Sequence, residues 1–258
     1  MALLTVERAG KEYSVEGGVL RRRVGTVRAL HDASFELQEG ESLGLVGESG
    51  SGKTTLGRII ARLLPPTTGR VLWEGEDQNS FSRREWASRV QMIFQDPTSS
   101  LNPKLTVRSL LREPLRARAG GTGSIDERVR ELLRTVGLAD DALDHYPHQF
   151  SGGQKQRLAI GRALAMGPRL LVADEPVSAL DLSIQAQILN LLMDLKDRFQ
   201  LSLIVVSHDL AVVSHLADRV IVLKEGEIVE QGETASVLAN PRHPYTQTLL
   251  EAVPTLLR

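Results

Sequence analysis

The 258-residue sequence contains no cysteine. Disulfides, cysteine-ligated zinc, iron–sulfur clusters and thiol nucleophiles are therefore excluded. It also lacks a strong charge of either sign: 31 Lys and Arg stand against 32 Asp and Glu, a formal net charge of −1. Bulk electrostatic attachment to nucleic acid is disfavoured, although a local basic patch stays open. No apolar run approaches the ~18–20 residues that a membrane span needs. The opening residues, Met1 to Arg8, reach a charged pair before any signal-length apolar core develops. The expectation is a soluble chain, compatible with a reducing cytoplasm, whose membrane role would run through a partner.

What is present suits a buried core. Hydrophobic residues make up 41% and charged residues 24%, near the globular average, and the length fits one α/β domain with an inserted subdomain. Leu3 to Ala9 reads as a first strand, followed by a Gly- and Arg-rich stretch from Gly17 to Arg28. Ser34–Leu37 and Ser42–Val46 flank Glu39-Gly40, which predicts a hairpin. Leu56, Ile59, Ile60, Leu63 and Leu64 recur at helical spacing, and Pro65-Pro66 is expected to stop that helix. Val90–Phe94, Leu170–Ala173, Leu203–Ser207 and Val220–Leu223 are short apolar runs suited to strands buried on both faces. From about residue 98 to 166 good strand runs are lacking, while Asp126–Val136 and Gln154–Met166 read as helices. That segment is expected to be a helical subdomain inserted into a mixed α/β core. Glu225-Gly226 joins two short strands, and residues from about 234 to 258 read as a helical tail interrupted by Pro241, Pro244 and Pro254.

Gly47-Glu48-Ser49-Gly50-Ser51-Gly52-Lys53-Thr54 matches G-x-x-x-x-G-K-[ST] and lies between a predicted strand and a predicted helix, the context the motif requires. Glycines let the backbone wrap close to phosphate oxygens, and the helix start aims its positive end at the same group. Lys53 supplies a charge to the β- and γ-phosphates; Thr54, followed by Thr55, offers a hydroxyl to Mg²⁺. Alone, this loop leaves a small-molecule kinase or a GTPase open. Leu170 to Glu175 is an apolar strand ending in two carboxylates. Asp174 can hold the Mg²⁺ shell, and Glu175 can orient or deprotonate a water. Two acidic residues entering a turn at Pro176 would look the same.

Phe150-Ser151-Gly152-Gly153-Gln154-Lys155-Gln156-Arg157 precedes that strand. A Ser and two Gly at a helix start form a second anion-binding element. Here the sequence resembles the ABC ATPase family, whose signature is Ser-Gly-Gly-Gln. The resemblance implies a P-loop NTPase core with an antiparallel β subdomain and an inserted helical signature subdomain. It further implies that Ser151, Gly152, Gly153 and Gln154 of one subunit contact the γ-phosphate of ATP held by the other. Gln95 matches the glutamine that meets Mg²⁺ and water, and His208 the histidine that contacts the γ-phosphate. Ser178-Ala179-Leu180-Asp181 resembles the loop that crosses the dimer interface, and Tyr13 is the aromatic that would stack on adenine.

Gln95-Asp96-Pro97-Thr98-Ser99-Ser100-Leu101-Asn102-Pro103 and Asn240-Pro241-Arg242-His243-Pro244-Tyr245-Thr246 resemble dipeptide, oligopeptide and nickel importers. So does the stretch Gly17 to Gly25. That resemblance implies an ATPase at the cytoplasmic face of the cell membrane, touching the membrane only through permeases and binding no nucleic acid. Its partners would be a second, different ATPase subunit, two permeases and an extracytoplasmic binding protein. The alternative is a soluble ABC ATPase of DNA repair or translation.

Overall fold

A computed structural model describes residues 2–17, 22–118 and 124–251. Residues 18–21 of the Gly- and Arg-rich stretch, and Pro254 of the tail, lie outside the described residues. In chain order the strands are β1 (Leu4–Gly17), β2 (Arg22–Leu37), β3 (Ser42–Val46), β4 (Thr68–Trp73), β5 (Glu76–Asp77), β6 (Val90–Ile93), β7 (Leu170–Asp174), β8 (Ser202–Ser207), β9 (Arg219–Lys224) and β10 (Glu227–Glu233). The helices are α1 (Lys53–Ile60), α2 (Arg83–Ala87), α3 (Val107–Ala117), α4 (Ile125–Thr135), α5 (Gly152–Leu164), α6 (Leu182–Phe199), α7 (Leu210–Leu216), α8 (Thr234–Ala239) and α9 (Pro244–Glu251). The chain divides into two compact units, Met1–Ser80 with Ile204–Arg258, and Phe81–Leu203.

In the first unit, β2, β1, β4 and β5 form an antiparallel sheet. β3 lies parallel to β9, which in turn pairs antiparallel with β10. The hairpin expected around Glu39-Gly40 does not form. β2 pairs with β1, while β3 pairs with β9, so Glu39-Gly40 is a turn between two sheets, with Gly40 at φ 74°. The reason lies in the two patterns of burial. Ala33, Phe35 and Leu37 are buried while Ser34 and Glu36 are exposed, the alternation of a strand with one wet face. All five residues of β3 are buried, which a parallel strand covered on both faces requires.

The helix after the Gly-rich loop is shorter than its apolar spacing suggests. α1 closes at Ile60, and Arg62 turns left-handed at φ 56°. The Leu63 N–H donates to the Arg58 carbonyl and the Arg62 N–H to that of Ile59, a Schellman ending. The helix therefore stops on its own cap before Pro65, and Leu63 is left 56% exposed.

In the second unit β6 and β7 are parallel, Val90 opposite Leu170 and Ile93 opposite Ala173. Among the described residues no strand interrupts the chain between them, which runs through α3, α4 and α5. These helices bury Leu110, Leu111, Val129, Leu133, Leu158 and Ile160. Among the described residues, no helix is long and apolar enough to cross a membrane.

Candidate functional site

The phosphate loop belongs to the first unit. β3 delivers Gly47 at φ 147°, where a Cβ would sit 2.1 Å from the Leu223 carbonyl oxygen of β9. No side chain fits there. Gly52 caps α1 at φ 104° and offers no side chain to its first-turn N–H groups, and the first turn carries no acidic residue. Those donors keep the polarity an anion needs. Lys53 follows, buried to 5% exposure. Its ammonium donates to the Gly47 and Glu48 carbonyls, both at 2.7 Å, and to Ser51 Oγ at 3.4 Å. Thr54 and Thr55 are half-buried in the same turn, while Glu48, Ser49 and Gly50 are exposed.

The β9–β10 turn braces this loop from behind. The Gly226 N–H donates to the Ser51 carbonyl at 3.0 Å, and the His31 N–H donates to the Gly226 carbonyl at 2.8 Å. Gly226 is a residue that motif reading passed over. His208, exposed at the end of β8, precedes a firmly capped helix: Asp209 Oδ1 accepts from the Ala211 N–H at 2.8 Å, and the Asp209 N–H donates to Ser207 Oγ at 3.0 Å. Tyr13 stands 39% exposed on β1 opposite Val27, with Lys11 Nζ 5.6 Å from its ring centre.

The second unit brings two strand ends together. Because β6 and β7 are parallel neighbours, the residues that follow them emerge on the same side. Asp174 ends β7 with 3% exposure, and Glu175 turns out of the strand at φ 45°. Gln95 Nε2 donates to Glu175 Oε2 at 3.2 Å and to Ser178 Oγ at 3.4 Å. The amide thus fixes the carboxylate beside a buried aspartate. Behind Gln95, Asp96 accepts from the Thr98 N–H at 2.9 Å and from the Thr98 hydroxyl; these two bonds hold its carboxyl below the usual range. The Ser99 and Ser100 hydroxyls donate to the Asp96 and Pro97 carbonyls. The Asp96–Asn102 sequence is therefore a chain of side-chain-closed turns, which explains its Ser, Thr and Asn content.

Ser151 caps α5 in a reciprocal box: its hydroxyl accepts from the Gln154 N–H at 3.3 Å, and Gln154 Oε1 accepts from the Ser151 N–H at 3.0 Å. The two glycines make room for neighbours. A Cβ on Gly153 would fall 2.5 Å from Ile184 Cγ2, and one on Gly152 would fall 3.2 Å from Leu180 Cδ2. Gln185 of α6, another residue that motif reading missed, donates to the Val177 and Leu180 carbonyls at 3.1 and 3.0 Å. It holds the Ser178–Asp181 loop, in which Ser178, Ala179 and Asp181 are exposed.

A family model described as "ABC transporter" matches residues 30–178. A second, "Oligopeptide/dipeptide transporter, C-terminal region", matches residues 229–258. The chain belongs to the ABC transporter family. This ABC ATPase is 46% identical over 257 residues to the oligopeptide transport ATP-binding protein AppF of Bacillus subtilis, covering 98% of this chain and 78% of that one. It is 49% identical to the probable peptide ABC transporter ATP-binding protein y4tS of Sinorhizobium fredii, over 98% of this chain and 73% of the relative. Among solved structures, the ABC ATPase is similar to the dimeric, post-hydrolysis cassette MJ0796 bound to ADP and Pi. There the TM-score is 0.77 and the identity 31%, over 90% of this chain and 98% of that one.

The residues fit the nucleotide that the family binds: the loop is closed to any Cβ at Gly47 and carries a buried ammonium at Lys53. Among the described residues no group of three or more His, Asp or Glu could hold a metal by itself. A Mg²⁺ here would take most of its ligands from phosphates and water, as that ion commonly does.

Proposed function

We propose that this ABC ATPase powers peptide import, with ATP and Mg²⁺ in half-sites that two subunits complete together. Gly47 to Thr55 cradle the phosphates, Lys53 supplies positive charge, and Tyr13 stacks on the base. Thr54, Asp174 and Gln95 would hold Mg²⁺, which neutralises charge on the β- and γ-phosphates when bound. Glu175 orients and deprotonates the attacking water, and His208 steadies the γ-phosphate. Ser151 to Gln154 of the partner subunit close over the same phosphate, and Ser178 to Asp181 line the dimer interface. Hydrolysis removes the charged group that both subunits share and lets the pair reopen.

The observation that carries the chemistry is the Gln95 amide bonded to the Glu175 carboxylate, beside buried Asp174. A general base works when its lone pair is aimed before the reaction begins, and an amide donor does that without taking the proton. The cargo reading rests on relatives named for peptide transport and on the matched C-terminal region, which also favour transport over DNA repair or translation. The remaining partners would be a second, different ATPase subunit, two permeases and an extracytoplasmic binding protein. The ATPase would sit at the cytoplasmic face of the membrane through the permeases alone.

Glu175→Gln tests the chemistry. ATP binding is expected to persist, a stable dimer to accumulate, and turnover to fall by about 10²–10³-fold, the size of losing one transition-state contact. Wild-type phosphate release by the variant would remove Glu175 from this role.

A further inference from the structure

The tail segment that marks the subfamily also reaches the phosphate loop. Tyr245, in the first turn of α9, accepts a hydrogen bond from the Glu48 N–H on its hydroxyl at 2.9 Å. The peptide that carries this N–H also carries the Gly47 carbonyl, which accepts from Lys53 Nζ at 2.7 Å. One peptide unit is thus held at both ends, by a tail phenol on one side and by the phosphate-binding ammonium on the other. Bonds made in series through one amide polarise each other.

The phenol is itself firmly seated. Tyr245 is 8% exposed and packs in a cluster with Val46, the residue just before the loop, and with Leu210 and Val213 of the helix after His208. Lys224 Nζ lies 5.2 Å from the ring centre. Glu230 of β10 accepts from the Arg242 and His243 N–H groups at 2.9 and 3.0 Å, and His243 Nδ1 accepts from the Tyr245 N–H at 3.2 Å. The Asn240–Thr246 motif is built to present one hydroxyl at one place. Burial pushes that phenol's pKa up, so it stays protonated at neutral pH.

We propose that Tyr245 is a positioning residue for the nucleotide site: through the Gly47–Glu48 peptide its hydroxyl sets where the Lys53 ammonium stands. This role rests on the loop binding ATP, as proposed above. It makes the tail a strut of the ATP site, so a change in the seating of α9 would change nucleotide affinity.

Tyr245→Phe removes the oxygen and keeps the ring. In the full chain, the Kd for ATP and the KM should rise about 2- to 10-fold, the range of one hydrogen bond. At saturating ATP, kcat should stay close to wild type, and the Glu48 amide should exchange its hydrogen faster. Val237→Ala is the packing control: it thins the same apolar cluster without touching the hydroxyl, and should lower Tm with ATP affinity unchanged. Wild-type Kd and Glu48 exchange in Tyr245→Phe would overturn the proposal. So would an affinity loss that Val237→Ala reproduces at an equal drop in Tm. If the wild-type chain itself fails to bind ATP, the nucleotide reading falls first and this role with it.

Discussion

The phosphate loop and the signature segment are both helix starts rich in Gly and Ser, yet they are finished in opposite ways. Around Gly47–Thr54 the chain supplies every brace: β9 against Gly47, Gly226 on Ser51, Tyr245 on Glu48, and a buried lysine tying the carbonyls. The helix N-terminus it leaves has no side-chain cap. At Ser151–Gln154 a capping box engages the Ser151 and Gln154 N–H groups and leaves those of Gly152 and Gly153 outside it, and the segment lies open beside an exposed loop followed by Leu182, 84% exposed. A loop braced from behind and without a side-chain cap in front suits the phosphate binding proposed above. An open segment next to an exposed leucine suits the contact with a partner subunit proposed above. The contrast gives a physical reason why one chain would hold two unlike halves of a site.

The strongest way to break that contrast is Lys53→Ala. Removing a buried, hydrogen-bonded charge costs about 2–5 kcal/mol, so ATP affinity should fall by roughly 30- to 4,000-fold; a filter-binding titration would reveal it, and an unchanged Kd would sink the receiving role. Gly153→Val probes the other half. Its side chain would collide with Ile184, so turnover should drop by about 10²-fold through misplacement of the segment, while ATP binding by the variant is kept. Loss of binding instead would mean that the two halves are not independent. Leu182→Glu should do least. Stability ought to stay within about 0.5 kcal/mol because the residue is exposed at the first position of α6, while loss of its apolar burial weakens self-association, measured by light scattering, by about 10-fold.

The motifs were legible because their chemistry is local. Gly at a left-handed turn, Lys in the first helical turn and Ser before two Gly act within a few residues of each other. The α/β class was legible too, from strands such as β7 and β8 that read as unbroken apolar runs. What stayed hidden depends on partners distant in sequence. Ser34–Leu37 and Ser42–Val46 looked like a hairpin because the turn between them is short, yet each finds its partner elsewhere, at β1 and β9. Their different burial periods, alternating against continuous, were the available signal. The end of α1 differs from the one the prolines predict because the left-handed Arg62 that closes it leaves no mark in the sequence. Tyr245 could be read only as part of a tail motif, since Glu48 lies 197 residues away.

The parallel pairing of β3 with β9 has a consequence for biosynthesis. During synthesis, Ser42–Val46 leaves the ribosome long before Arg219–Lys224 exists. At 5–20 residues per second, roughly 10–35 s pass before the strand that backs Gly47 is made. The turn at Gly226 and then Tyr245 come later still. The nascent chain therefore carries its most recognisable motif as an unsupported loop until Arg219–Lys224, Gly226 and Tyr245 have all been made.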